Sequence, residues 1–127
     1  MEKLKNAKYI SLQTFKKNGQ TIETPLWIVI LPEKTREQAL YAFTNKNSGK
    51  IKRITKNPSC RIALCSFTGK LQSPWTRAKV IQSPDEESAE RIITLMYQKY
   101  SWQMFLVDFL ARIGDKRSSW TILKIIY

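Results

Sequence analysis

Lys17-Asn18-Gly19-Gln20 lies between two runs of β-forming residues, and it restricts the fold more than any other local signal. An Asn-Gly pair between such runs favours a two-residue turn, because both central residues of that turn take positive φ. The chain must therefore double back as an antiparallel hairpin. Its outgoing strand spans residues 9–15 and its return strand about residues 20–31. Pro25 cannot donate to a ladder, so the return strand belongs at an edge or carries a bulge.

The β pattern continues. Residues 39–44 form a third strand, residues 60–67 and 71–82 a second hairpin around Thr68-Gly69, and residues 118–127 a sixth strand. Three helices interrupt them before the last strand. Residues 50–57 read as a short helix with Ile51 and Ile54 inward, ending before Pro58. Ser83-Pro84-Asp85-Glu86 is a helix start with a capping box, followed by Ala89, Ile92, Ile93, Met96 and Tyr100 at helical spacing. A further helix is expected over residues 102–113, with Phe105, Leu106, Phe109 and Leu110 on one side and Gly114 at its end. Six strands with a helical excursion before the last predict a mainly β fold, a small antiparallel barrel whose closure removes exposed edges.

The 127 residues match one ordinary domain, and we read residues 1–127 as a single domain. No apolar run approaches the ~20 residues that span a bilayer, and the N-terminus lacks an apolar signal core. The expectation is a cytoplasmic protein without a membrane partner. Cys60 and Cys65 fit neither a zinc nor a Cys-x-x-Cys pattern and read as ordinary buried thiols. Histidine is absent, which excludes Ser-His-Asp and Cys-His catalysis and removes the commonest metal ligand and general base. No residue is nominated as catalytic or as a metal ligand.

The formal net charge is +12. From Gln38 through Pro84 there is no acidic residue, while Lys46, Lys50, Lys52, Arg53, Lys56, Arg61, Lys70, Arg77 and Lys79 fall in that stretch. Such a field attracts anions. The sharpest feature within it is the segment from Thr44 to Arg53, TNKNSGKIKR. A strand leads into it, a glycine loop bends it, and a helix starts at its end, where unpaired N–H groups and the helix dipole favour an anion. Thr44 and Ser48 add hydroxyls; Lys50, Lys52 and Arg53 add charge. It matches neither the nucleotide-hydrolase P-loop nor a Gly-x-Gly-x-x-Gly turn. On residue chemistry alone, the solvated face of a short helix explains it equally well.

Two further segments are candidates. Thr24-Pro25-Leu26-Trp27 could lay a strand against a flat heteroaromatic ring, or could be edge punctuation with Trp27 in the core. Trp75 and Arg77, after Pro74, could serve a pocket or a subunit interface, or ordinary packing.

Taken together, the SLQTFKKNGQTIETPLW hairpin, LYAFT, SGKIKRITKNPSCRIALC and WTRAKVI resemble the flavin- and deazaflavin-binding split barrels related to pyridoxamine 5′-phosphate oxidase. The similarity is greatest to the short deazaflavin-dependent oxidoreductase branch. That resemblance covers nearly the whole chain. It implies a six-stranded antiparallel split barrel and a homodimer with cofactor clefts between subunits. It implies that Thr44, Ser48, Lys50 and Arg53, helped by Lys52, hold the phosphate of FMN or of the deazaflavin coenzyme. Thr24, Pro25, Leu26 and Trp27 would line the ring, and Trp75 and Arg77 would reach it from the partner subunit. Pyridoxamine phosphate oxidase activity itself is not expected, because this chain has no His and ends on Lys-Ile-Ile-Tyr, where those longer enzymes carry a substrate-binding Arg and His.

The function so implied is an oxidoreductase that moves hydride or electrons to a small-molecule substrate. The alternatives are a non-catalytic flavin or tetrapyrrole binder and a basic nucleic-acid module. The second is disfavoured because the cations concentrate at one loop and no nucleic-acid motif is present.

Overall fold

A computed structural model describes residues 7–30, 39–45, 48–83, 86–101 and 120–127, with 103, 104, 106, 107 and 110. Its elements are β1 (Tyr9–Phe15), β2 (Thr21–Trp27), β3 (Ala39–Asn45), α1 (Gly49–Lys56), β4 (Ser59–Leu64), β5 (Thr76–Ser83), α2 (Glu86–Tyr100) and β6 (Trp120–Ile126). The strands form one antiparallel sheet in the order β2-β1-β4-β5-β6-β3. Its two ends meet just past β2, where Val29 and Tyr41 exchange backbone hydrogen bonds of 2.9 Å in both directions. The sheet is thereby curled into a split barrel.

Strand alternation sorts the side chains into two cores. Ile10, Leu12, Leu26, Ile28, Leu40, Ala42, Cys60, Ile62, Val80, Leu123 and Ile125 fill the barrel interior. Ile51 and Ile54 join them from α1, so this amphipathic helix packs its apolar side into the barrel while its cations stay outside. The second core lies between α2 and the sheet. Ile92, Ile93, Met96, Tyr100 and Met104 pack there on Val29 and Ile122, with Trp27, Tyr41, Phe43 and Trp120 alongside.

The end of α2 does more than pack. The Tyr100 hydroxyl accepts the Ile28 N–H at 2.9 Å and lies 2.7 Å from the Lys8 carbonyl, to which it donates. Lys99 Nζ donates to the carbonyls of Ala7 at 2.6 Å and Ile28 at 2.7 Å. Ile28 follows the end of β2, and these two side chains supply the partners that a ladder no longer provides there. Burial pushes the Tyr100 phenol up and the Lys99 ammonium down to about 8.

Several expectations are corrected. The first hairpin does not use a two-residue turn. Lys16 N bonds Gln20 O at 2.8 Å, Gly19 N bonds Lys16 O at 3.0 Å, and only Gly19 has positive φ, +86°. That is a three-residue loop closing on a glycine bulge. The second hairpin repeats it at Ser66–Lys70, with Gly69 at φ +90°. β5 starts at Thr76 rather than near Leu71, which makes only an isolated bridge to Cys65. The Leu64 N–H donates to the Ser73 hydroxyl at 2.8 Å rather than to a strand carbonyl, and Pro74, which has no N–H, adds no ladder donor beside it. Of the further helical stretch, Leu106 and Leu110 are exposed and Met104 is buried among the described residues, which does not contradict the expected shared side of Leu106 and Leu110. The capping residues Pro84 and Asp85, the aromatics Phe105 and Phe109, and Gly114 lie outside the described residues. Cys60 and Cys65 are buried and free. Pro25 does sit on an edge strand, as expected, opposite Ser11.

Candidate functional site

The strand-to-helix loop places its hydroxyls and its half-buried lysine around one helix end. β3 pairs with β6 through Thr44 and Thr121, and Thr44 is buried. Lys46 and Asn47 lie outside the described residues. Ser48 is the N-cap of α1 with extended backbone, its N–H bonded to Asn45 O at 3.0 Å. Ser or Thr at this position ordinarily turns its hydroxyl back onto the first-turn N–H groups. Ser48 does not: it makes no side-chain cap bond, and its buried Oγ has no partner among the described residues. The first turn of α1 carries no acidic residue, so its N–H groups and dipole keep their positive end uncompensated.

The charges are arranged around this point. Lys50 is half-buried, and desolvation, then the neighbouring Arg53 charge, lower its pKa. An anion would relieve both effects. Arg53 Nε donates to the Thr14 hydroxyl at 2.7 Å. Thr14 is buried on β1, so this bond ties α1 to the sheet and limits where the guanidinium can go. Arg53 Nη1 lies 3.0 Å from the position a Cβ would take on Gly49. The guanidinium thus folds back over the start of the helix, and Gly49 leaves room for it.

Of the sequence-predicted residues, Thr44, Ser48, Lys50 and Arg53 belong to this strand-to-helix junction. Lys52 is exposed and lines a groove on the flank of α1 with Lys56, Lys16 and Lys17. The β2 segment does not act as one surface. Pro25 and Trp27 project from one side of the strand and Thr24 and Leu26 from the other, and Leu26 is in the barrel core. Trp27 is half-buried, stacked on Tyr100 with centroids 4.5 Å apart and edge-on to Phe43 at 6.4 Å. One of its faces is therefore taken by the protein itself. Trp75 is half-buried just before β5, and Arg77 is exposed, opposite Arg61 of β4.

Sequence reading missed Thr14, although a hydroxyl after Ile10 and Leu12 on the inward positions of β1 is an available signal for a buried polar partner. It also missed the contribution of Phe15, Lys16 and Lys17 beside α1, which only the hairpin register brings there. Among the described residues no helix is long and apolar enough to cross a membrane, and no cluster of three or more His, Cys, Asp or Glu could hold a metal.

Comparison by sequence finds no matching family model and no matching curated protein. Comparison by structure finds many matches. A Listeria innocua protein provisionally named a pyridoxamine 5′-phosphate oxidase superimposes with a TM-score of 0.62 at 13% identity, over 96% of this chain and 85% of its own. An F420 reductase gives 0.64 at 16% identity, over 98% and 90%. The haem storage protein HutZ of Vibrio cholerae gives 0.68 at 14% identity, over 98% and 84%. Six antiparallel strands, a curled sheet and two helices in the same arrangement give this chain the split-barrel fold of the pyridoxamine 5′-phosphate oxidase-like proteins.

Proposed function

We propose that the chain binds a flavin-type cofactor, FMN or the deazaflavin coenzyme, and serves as an oxidoreductase toward a small-molecule substrate. The observation that carries the reading is the buried Ser48 Oγ, without a partner among the described residues, at the uncompensated start of α1. A buried hydroxyl without a partner is costly, and a phosphate oxygen there would meet it together with the helix N–H groups. In this reading Thr44 and Ser48 donate to phosphate, Lys50 regains a counter-charge, and Arg53 is held over Gly49 by Thr14. The cofactor, when bound, supplies hydride transfer at its ring N5, while the chain supplies binding, orientation and electrostatics. Pro25 and Trp27 offer an edge surface for the ring. Thr24 and Leu26 would contribute through backbone groups only. Lys52 adds charge nearby without direct contact.

The reading takes the protein as a homodimer in which Trp75 and Arg77 of one copy reach the cofactor of the other. The haem-storage neighbour supports a second reading, binding without turnover. The absence of histidine from the sequence weighs against ordinary His ligation of haem. The deciding experiment is titration of the full chain with FMN, the deazaflavin coenzyme and riboflavin, which lacks the phosphate. Lys50→Ala should weaken FMN binding by about 1.5–3 kcal/mol, the usual value of a charged hydrogen bond, and leave riboflavin binding unchanged. Equal FMN affinity in the variant and the wild type refutes the phosphate assignment. Turnover of a reduced cofactor then separates enzyme from store.

A further inference from the structure

A groove of about 370 Å3 runs along the flank of α1, between that helix and the tip of the first hairpin. Phe15, Lys16, Lys17, Lys52, Arg53, Lys56 and Asn57 line it. Five of these seven residues carry positive charge, and none is acidic. Arg61 adds a sixth cation, its guanidinium 5.7 Å from the Phe15 ring centroid. Neither Ser48 nor Lys50 borders it, so it is separate from the start of α1, with Arg53 between the two places.

We propose that this groove is a second anion site that takes a short oligophosphate chain. Like charges gathered around one hollow repel each other, and an anion between them reverses the sign of that interaction. A single phosphate is too small to reach them all. Lys52 and Lys56 are separated by about 6 Å along the helix axis, and Lys16 and Lys17 face them from the hairpin. The volume corresponds to roughly a dozen water molecules at ~30 Å3 each, room for several linked phosphates. The hairpin geometry contributes directly: its three-residue loop puts Lys16 and Lys17 at the turn, beside the helix.

The test uses the full chain, inorganic tripolyphosphate and orthophosphate, by isothermal calorimetry at low and moderate salt. Tripolyphosphate should bind at least tenfold more tightly than orthophosphate, with affinity falling steeply as salt rises. The double variant Lys17→Gln, Lys56→Gln changes only exposed side chains. It should weaken tripolyphosphate at least tenfold and leave FMN affinity unchanged, whereas Lys50→Ala should leave tripolyphosphate binding in place. Tripolyphosphate binding in a protein that binds no flavin would support the groove while refuting the cofactor reading. The proposal is overturned if tripolyphosphate binds no better than orthophosphate. It is also overturned if Lys50→Ala weakens tripolyphosphate as much as the double variant does, or if a single-stranded oligonucleotide displaces tripolyphosphate at lower concentration, which would assign the groove to nucleic acid.

Discussion

Replacing Tyr100 with Phe removes one oxygen and leaves everything else about that side chain in place. The ring keeps its stack on Trp27 at 4.5 Å and its position in the core under α2, so no cavity opens. What is lost is the acceptor for Ile28 N–H and the donor to Lys8 O. Ile28 is fully buried, so its N–H does not face solvent once the phenol is gone. An orphaned buried N–H costs about 1–3 kcal/mol, and one lost hydrogen bond adds about 1 kcal/mol net. The sum is about 2–4 kcal/mol, a large part of the stability of a domain this size. With a urea m-value of about 2 kcal/mol/M, the middle of the usual range, the unfolding midpoint should fall by about 1–2 M, with m unchanged. Tryptophan fluorescence follows the transition, since Trp27 lies against the altered ring. A loss below about 0.5 kcal/mol would show that the Ile28 N–H finds another partner, and that Tyr100 contributes by packing alone.

Burial lowers the Lys99 pKa from its ordinary value to about 8 in the folded chain. Between about pH 8 and the unfolded value near 10.5, the unfolded state holds a proton that the folded state has released, so this group's contribution to stability rises with pH. A neutral amine still has two N–H groups for the carbonyls of Ala7 and Ile28. The stability difference between wild type and Lys99→Met should therefore widen from pH 8 to pH 10 in denaturant titrations, and narrowing would contradict it. Gly19→Ala and Gly69→Ala meet no atom within 4 Å but force alanine to φ +86° and +90°; each should cost about 1–2 kcal/mol by thermal unfolding, and the two costs should match. Desolvation pushes the Cys60 thiol up to about 12 and raises that of Cys65. A thiol reagent at pH 8 should modify them only after denaturant is added, and immediate reaction in the folded state would contradict this burial.

The strands were legible because each carries its own alternation. Ile10 and Leu12, or Leu40 and Ala42, advertise an inward face regardless of what lies opposite. Pro25 was legible for a similar reason, since a missing N–H restricts a strand to an edge wherever the edge is. The helix face of Ile51 and Ile54 was equally local. Turn geometry was not legible. Asn18-Gly19 says that positive φ is needed, but the register Phe15 to Thr21 decides that only Gly19 uses it. The start of β5 depended on Ser73 competing for the Leu64 N–H, a contact between strands. That the loop suits an anion could be read from Thr44, Ser48 and Lys50, yet the Ser48 hydroxyl without a partner among the described residues and the Arg53–Thr14 tie exist only once β1 and α1 are packed. Trp27 shows the limit most clearly. Its neighbours in sequence suggested a ligand surface, while its ring is stacked on Tyr100, a residue distant in sequence.

The order of strands has a consequence for synthesis. β3, which delivers Thr44 to the loop, has its ladder with β6, the last strand of the chain. Its other backbone tie among the described residues is the single bridge from Tyr41 to Val29. During translation the first hairpin and β4 can assemble as soon as they leave the ribosome, whereas β3 lacks its ladder partner until β6 emerges between it and β5. Pairing across most of the chain length is slow and makes the growing strand vulnerable to wrong partners. The proposed anion site at the start of α1 thus depends on β6, so that a nascent chain stalled before β6 would carry the loop sequence without the ladder that positions Thr44.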